Sequence, residues 1–137
     1  DTRVSPRRSS VRDLRACFLA AYRGGWLNRS SQAHLLELLS AYTINDQGRL
    51  GRLKQRVSVP LTIYNKRGSL VSGPMTVADS GIVVAGVRRF FCTASALGGA
   101  GSRYEDLEAE LDRVVDLFGM YLASSLYEPR DNLHLPR

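Results

Sequence analysis

The sequence predicts an α+β fold: a three-stranded antiparallel meander covered by a long C-terminal helix and preceded by two helices. Leu14, Cys17, Phe18, Ala21 and Tyr22, and later Leu35, Leu36, Leu39 and Tyr42, recur at the spacing of one helix face. Between residues 57 and 97 the apolar period changes to two, the mark of strands with one buried face. From Leu107 through Leu111, Val114, Val115, Phe118 and Leu122 to Leu126 one wide apolar stripe returns, broad enough to cover a sheet. Helices, then strands, then a helix is the order of an α+β unit rather than of alternating βαβ repeats.

Residues 1 to 8 read as a basic tail, 9 to 127 as the folded unit and 128 to 137, with two prolines, as a second tail. Ser10 is placed to cap the first helix, with Asp13 three residues on facing back to it, and Gly24-Gly25 ends the run. A second helix starts near Asn28 or Ser30, and Thr43 to Gly48 breaks its pattern. Gly48-Arg49-Leu50 and Gly51-Arg52-Leu53 echo each other and suit a short helical turn. Val57, Val59, Leu61 and Ile63 then alternate with Ser58, Pro60, Thr62 and Tyr64. Pro60 can donate nothing to a ladder, so it belongs at the strand's start or on an edge. Ser72-Gly73-Pro74 is turn chemistry, Thr76 to Ala85 a strand, Gly86 to Arg89 a turn and Phe90 to Leu97 a third strand. Gly98 to Gly101 reads as a flexible joint. Ser102 opens the last helix with Glu105 as its capping-box partner, and Asp106, Glu108 and Glu110 suit the positive helix end. Running to Leu126, that helix would be about 37 Å long at 1.5 Å per residue.

Composition narrows the function classes. With 137 residues, 44% hydrophobic and 23% charged, the chain fits one globular domain and not a disordered one. No apolar run approaches the ~20 residues of a membrane span, and the arginine-rich N-terminus carries no apolar signal-peptide core. The net charge of +6 comes from 17 arginines against two lysines, with Arg3, Arg7, Arg8, Arg12 and Arg15 crowded at the start. A polyanion-binding arm is one reading of that cluster, and a solvated terminus with one basic helix face is the other. No aromatic residue precedes Phe18 to stack on bases, so no nucleic-acid partner is expected. Cys17 and Cys92 both read as small buried apolar residues, and their pairing stays open. No Cys or His pair stands at zinc-ligand spacing, so neither metal nor other cofactor is expected.

A serine nucleophile needs a base within hydrogen-bond reach. Fourteen serines occur and none has lysine three residues on; Ser31 has His34 there and Ser102 has Glu105. The Gly-x-Ser-x-Gly elbow is also absent. His34 and His134 stand beside no candidate serine. The segment Ile63-Tyr64-Asn65-Lys66-Arg67-Gly68-Ser69-Leu70, followed by Asp79-Ser80-Gly81-Ile82-Val83-Val84, is the one constellation with chemical content.

That segment resembles the third active-site motif of class A β-lactamases and related penicillin-recognising serine hydrolases. Ser9-Ser10-Val11-Arg12-Asp13-Leu14 resembles the family's Ser-Thr-Pro-Arg-Asp-Leu helix start with Val11 for proline, and Ala21-Tyr22-Arg23-Gly24 fits the same stretch. The resemblance runs from about residue 9 to 127 and covers only the C-terminal portion of that family's domain. It implies acyl transfer to a serine hydroxyl, on β-lactams or peptidoglycan-like amides. Lys66 matches the motif lysine, which makes the site positive, binds the substrate carboxylate and assists proton movement. Gly68 matches the glycine that lets substrate lie along the strand, and Ser69 the residue whose backbone N–H is one oxyanion donor. Arg67 departs from the family's Thr or Ser, and Ser80 stands about where many members keep a carboxylate-binding arginine. The nucleophile motif Ser-x-x-Lys is missing. The resemblance therefore implies a segment inactive alone, which needs an N-terminal companion segment or self-association to cover its strand edge and helix face. It also implies an extracellular or periplasmic protein, although this chain shows no signal peptide. A non-catalytic binding or regulatory domain of the same fold is the alternative, and Arg67 favours it.

Overall fold

The structure is a computed structural model that describes residues 10–44, 48–70 and 75–127, without the side chains of 42–44. The tails, and the turn expected at Ser72-Gly73-Pro74, lie outside the described residues. The chain runs α1 (Val11–Arg23), α2 (Arg29–Ile44), a 3₁₀ turn (Arg49–Arg52), α3 (Leu53–Arg56), β1 (Leu61–Leu70), β2 (Thr76–Ala85), β3 (Arg88–Leu97) and α4 (Tyr104–Tyr127). Two helices, the meander and the long terminal helix stand in the expected order, so the fold is α+β.

Local chemistry starts and stops the helices. The Ser10 side chain accepts from the Asp13 amide at 3.1 Å, and the Asp13 carboxylate accepts from the Ser10 amide at 2.8 Å. This reciprocal cap satisfies two backbone amides that the first turn leaves without an intrahelical partner. It also holds the Asp13 carboxyl below its usual range, chiefly through the Ser10 backbone hydrogen bond. Gly24 ends α1 in the left-handed region, φ 81°, where a side chain would be strained. Gln32 of α2 donates to the Tyr22 carbonyl at 2.7 Å, joining the first two helices.

Among the described residues the sheet order is β1-β2-β3, all antiparallel, so β1 and β3 are its edges. Central β2 is buried along most of its length because both its faces are covered. The turn to β3 takes only Gly86 and Val87, with Gly86 at φ 58° and Ala85 pairing Arg88. Strand β3 thus begins two residues before the expected Phe90, since a two-residue hairpin with positive φ matches the sheet twist. At the other end, Val57 is buried and Ser58 exposed as the alternation predicts, yet pairing starts only after Pro60. Leu61 already pairs with Ala85, the last residue before the turn, so β2 offers nothing to residues 57–60.

One face of the sheet carries the core. Ile63, Val77, Val83, Cys92, Ala94 and Ala96 pack against Leu107, Leu111, Val115 and Leu122 of α4, with Leu50 and Leu53 filling the end. Helix α4 starts at Tyr104 rather than at Ser102. The Ser102 amide closes a turn on the Gly99 carbonyl at 3.2 Å, and Glu105 lies 3.7 Å from Arg103 instead of capping Ser102. Helix α1 touches the opposite sheet face through Phe18–Phe91 and Tyr22–Tyr64 ring contacts at 6.0 and 5.7 Å. No described helix is long and apolar enough to cross a membrane.

Both cysteines are free. Cys92 is buried as expected, and burial with nearby Asp79 pushes its thiol up to about 12. Cys17, expected to be buried, is exposed. Its neighbours Phe18, Leu19 and Tyr22 take the sheet-facing side of α1.

Candidate active site

Lys66, Arg67, Gly68 and Ser69 occupy the second half of edge strand β1. Side chains alternate across a strand, so this run splits between the two sheet faces. Asn65 and Arg67 share the face of buried Ile63, towards α4, whereas Lys66 and Gly68 share the other face with Tyr64. Lys66 is exposed and its Nζ donates to the Arg67 carbonyl at 2.8 Å. Gly68 and Ser69 are exposed, and among the described residues a Cβ on Gly68 would meet nothing within 4 Å, so the sheet face there is open.

The register brings two sequence candidates together. Lys66 pairs with Ser80 on β2, and Ser80 with Thr93 on β3, so the three stand in one row on one face. Ser80 is buried and its Oγ lies 2.6 Å from Thr93 Oγ1. Among the described residues, neither the Ser69 nor the Ser80 hydroxyl is hydrogen-bonded to a histidine, lysine or carboxylate. A serine is activated by such a partner, which the described residues do not supply to either hydroxyl. His34 is exposed on α2, 3.7 Å from Glu37.

Arg67 is not brought to Lys66. Its guanidinium reaches across the other face to donate to Tyr104 Oη and the Glu108 carboxylate, with its centre 5.9 Å from the Tyr104 ring. Glu108 is the first rung of an ion-pair ladder that the sequence reading missed. It also holds Arg49, Asp112 lies 3.4 Å from Arg49 and 3.5 Å from Arg52, and Asp116 binds Arg52 and Arg56 at 3.0 and 2.7 Å. The signal was present: acids at 108, 112 and 116 repeat every four residues on α4, and arginines at 49, 52 and 56 nearly match that spacing. The hydrogen bonds of Arg56 and Arg52 hold the Asp116 carboxyl down at about 2.

Beneath the motif a buried polar pair sets the strand. Asn65 Nδ2 donates to both Asp79 oxygens at 2.9 Å, and the Leu50 amide donates to Asp79 Oδ2 at 2.8 Å. Glycines make the room. A Cβ on Gly81 would sit 2.4 Å from the Tyr64 carbonyl oxygen, and one on Gly48 1.9 Å from Asn65 Nδ2. Burial raises the Asp79 carboxyl above its ordinary value, and the donors from Asn65 and Leu50 only partly offset it. Among the described residues no group of three or more His, Cys, Asp or Glu could hold a metal ion.

No family model matches the chain, and a search of curated proteins finds no match. Among solved structures it is similar to one described as the structure of PBP-A, with 20% sequence identity and a TM-score of 0.57. The match covers 88% of this chain but 41% of that one, so the chain spans well under half the length of the structure it resembles. At that identity the likeness concerns the fold alone: the chain has part of a penicillin-binding-protein-like, β-lactamase-like fold.

Proposed function

We propose that the chain is the C-terminal segment of a β-lactamase-like serine hydrolase that transfers acyl groups from β-lactams or peptidoglycan-like amides to a serine supplied elsewhere. The observation that carries this reading is exposed Lys66 of edge strand β1 opposed to buried Ser80 of central β2, in a fold that matches a penicillin-binding protein. Lys66 supplies the positive charge for a substrate carboxylate, and Gly68 leaves the edge clear for an extended substrate. The Ser69 backbone N–H acts as one oxyanion donor, a contribution of about 3–4 kcal/mol in acyl-transfer enzymes. The chain holds no Ser-x-x-Lys nucleophile, so it is inactive by itself. Fluorescent penicillin and nitrocefin test this. Neither labelling nor turnover is expected with the chain alone, and both are expected on adding an N-terminal segment that carries Ser-x-x-Lys. Labelling of a serine of this chain alone would refute the assignment.

Arg67 favours a second reading, a non-catalytic binding domain. The position of the motif's small hydroxyl is taken by a side chain bound to Glu108 and Tyr104. Saturable, reversible penicillin binding without acylation in the completed protein supports that reading over the first.

A further inference from the structure

A cavity of about 440 Å³ opens between α1 and the β2–β3 hairpin. Leu19 and Ile82 give it an apolar floor, with Ile82 only 2% exposed. Arg15, Arg23 and Arg89 stand around it with Tyr22 between them. Arg15, Leu19, Tyr22 and Arg23 lie at i, i+4, i+7 and i+8, so a single helix face supplies two cations and part of the floor. Arg89 comes from β3, and its orientation is fixed. Its Nε donates to Tyr22 Oη at 3.0 Å, its Nη1 to the Val87 carbonyl at 3.2 Å, and its guanidinium centre lies 5.7 Å from the Tyr22 ring centre.

These three arginines differ from those on the other sheet face. Arg49, Arg52, Arg56 and Arg67 are all paired with acids of α4. Among the described residues no carboxylate pairs with Arg15, Arg23 or Arg89. Like charges gathered without counter-charge repel, and an anion held among them removes that cost. Guanidinium forks match carboxylate and phosphate oxygens bidentately. The floor cannot be satisfied by an inorganic ion, which would leave Leu19 and Ile82 uncovered. The volume falls within the range of small-molecule sites, roughly 300–1,000 Å³.

We propose that this cavity binds a small amphiphilic organic anion, its apolar or aromatic body on Leu19 and Ile82 and its carboxylate or phosphate among Arg15, Arg23 and Arg89. The site shares no lining residue with Lys66, Ser69 or Ser80, so it stands whether or not the acyl-transfer reading does. Calorimetric titration of the full chain with 2-naphthoate and 1-naphthyl phosphate tests it, against inorganic phosphate and neutral 2-naphthol. Saturable one-to-one binding of at least one naphthyl anion is expected, and the stronger of the two identifies the preferred headgroup. Inorganic phosphate and 2-naphthol are each expected to bind about tenfold more weakly or worse, since each lacks half of the contacts. Arg15→Gln and Arg89→Gln, on different elements, are each expected to weaken binding about tenfold or more through loss of a charge-assisted hydrogen bond. Arg113→Gln, on the exposed side of α4, is expected to leave it unchanged. Thermal melts identify any variant that fails to fold, and the remaining pocket variant then carries the comparison. The proposal is overturned by absence of saturable binding up to millimolar ligand, by inorganic phosphate binding equally well, or by equal weakening in Arg113→Gln. Displacement of the naphthyl anion by an oligonucleotide at lower concentration overturns it too, in favour of a nucleic-acid surface.

Discussion

Arg67 of β1 and Glu108 of α4 are ion-paired across the interface between sheet and terminal helix, and Glu108 is shared with Arg49 of the 3₁₀ turn. Glu108 is largely buried, with its side chain 12% exposed. Removing a shared, largely buried carboxylate takes the ion-pair partner from Arg67 and the nearer of two partners from Arg49, which keeps only Asp112 at 3.4 Å. Glu108→Gln is therefore expected to cost about 2–3 kcal/mol in urea unfolding, whereas Glu110→Gln, which loses an exposed pair with Arg113, costs about 0–0.5 kcal/mol. Equal effects of the two substitutions would show that the ladder adds nothing to stability.

Asp79 gives stability an unusual pH sign. Burial raises its folded-state pKa above the unfolded value, so the folded chain binds the proton more tightly. Stability contributed by the protonated group is present below the unfolded value and is lost as pH rises through the raised one. In Asp79→Asn this dependence disappears. The stability of the parent chain relative to Asp79→Asn is expected to fall as pH rises from about 4, the ordinary carboxyl value, and then to level off. Denaturant melts of both proteins at stepped pH measure it, and a difference that is flat or rises with pH contradicts the burial argument. Asp116 runs the other way, its contribution lost as pH falls towards about 2, but it is common to both proteins and cancels.

Gly81 separates packing from propensity. Alanine is ordinarily no worse than glycine in a strand, yet here its Cβ would lie 2.7 Å from Asn65 Cβ and 2.4 Å from the Tyr64 carbonyl oxygen. Both are close to main chain, so β1 must shift, and the Asn65–Asp79 bonds shift with it. Gly81→Ala is expected to destabilise by about 2 kcal/mol or more, as overpacking does. Gly68→Ala, with nothing within 4 Å, should change stability by less than about 0.5 kcal/mol. A melting temperature for Gly81→Ala within error of the parent would show that the strand pair yields easily.

What the sequence made legible follows the range of the forces involved. The Ser10–Asp13 cap, the end of α1 at Gly24 and the bounds of β2 depend on residues within a few positions, and they were readable. The ends of β1 and the start of α4 were less so. Pairing at Leu61 depends on where β2 turns, 24 residues on, and Tyr104 becomes the first helical residue because Gly99 and Ser102 close a separate turn. Cys17 was misplaced because an apolar stripe of five residues is wider than the face that α1 buries. The row of Lys66 and Ser80 follows from strand order and register. The fate of Arg67 was hidden, since its partner Glu108 is 41 residues away on another element.

The outer side of α4 leads to a prediction about assembly. Leu117, Met120 and Tyr121 are 66%, 65% and 64% exposed and lie on one side of the helix, while Leu97 at the end of edge strand β3 is 73% exposed. A group of exposed apolar side chains on one side of a helix and an unpaired strand edge are each surfaces through which chains associate. Copies of this chain are therefore expected to associate through these surfaces. Sedimentation at micromolar concentration is expected to give a mass above the 15.2 kDa of one chain. Leu117→Lys with Met120→Glu should shift the mass towards one chain while the circular-dichroism spectrum stays that of the folded chain, because neither side chain belongs to the core. A parent chain that sediments as a single 15.2 kDa species would mean that the exposed face is tolerated, and the case for a companion would lose its physical basis.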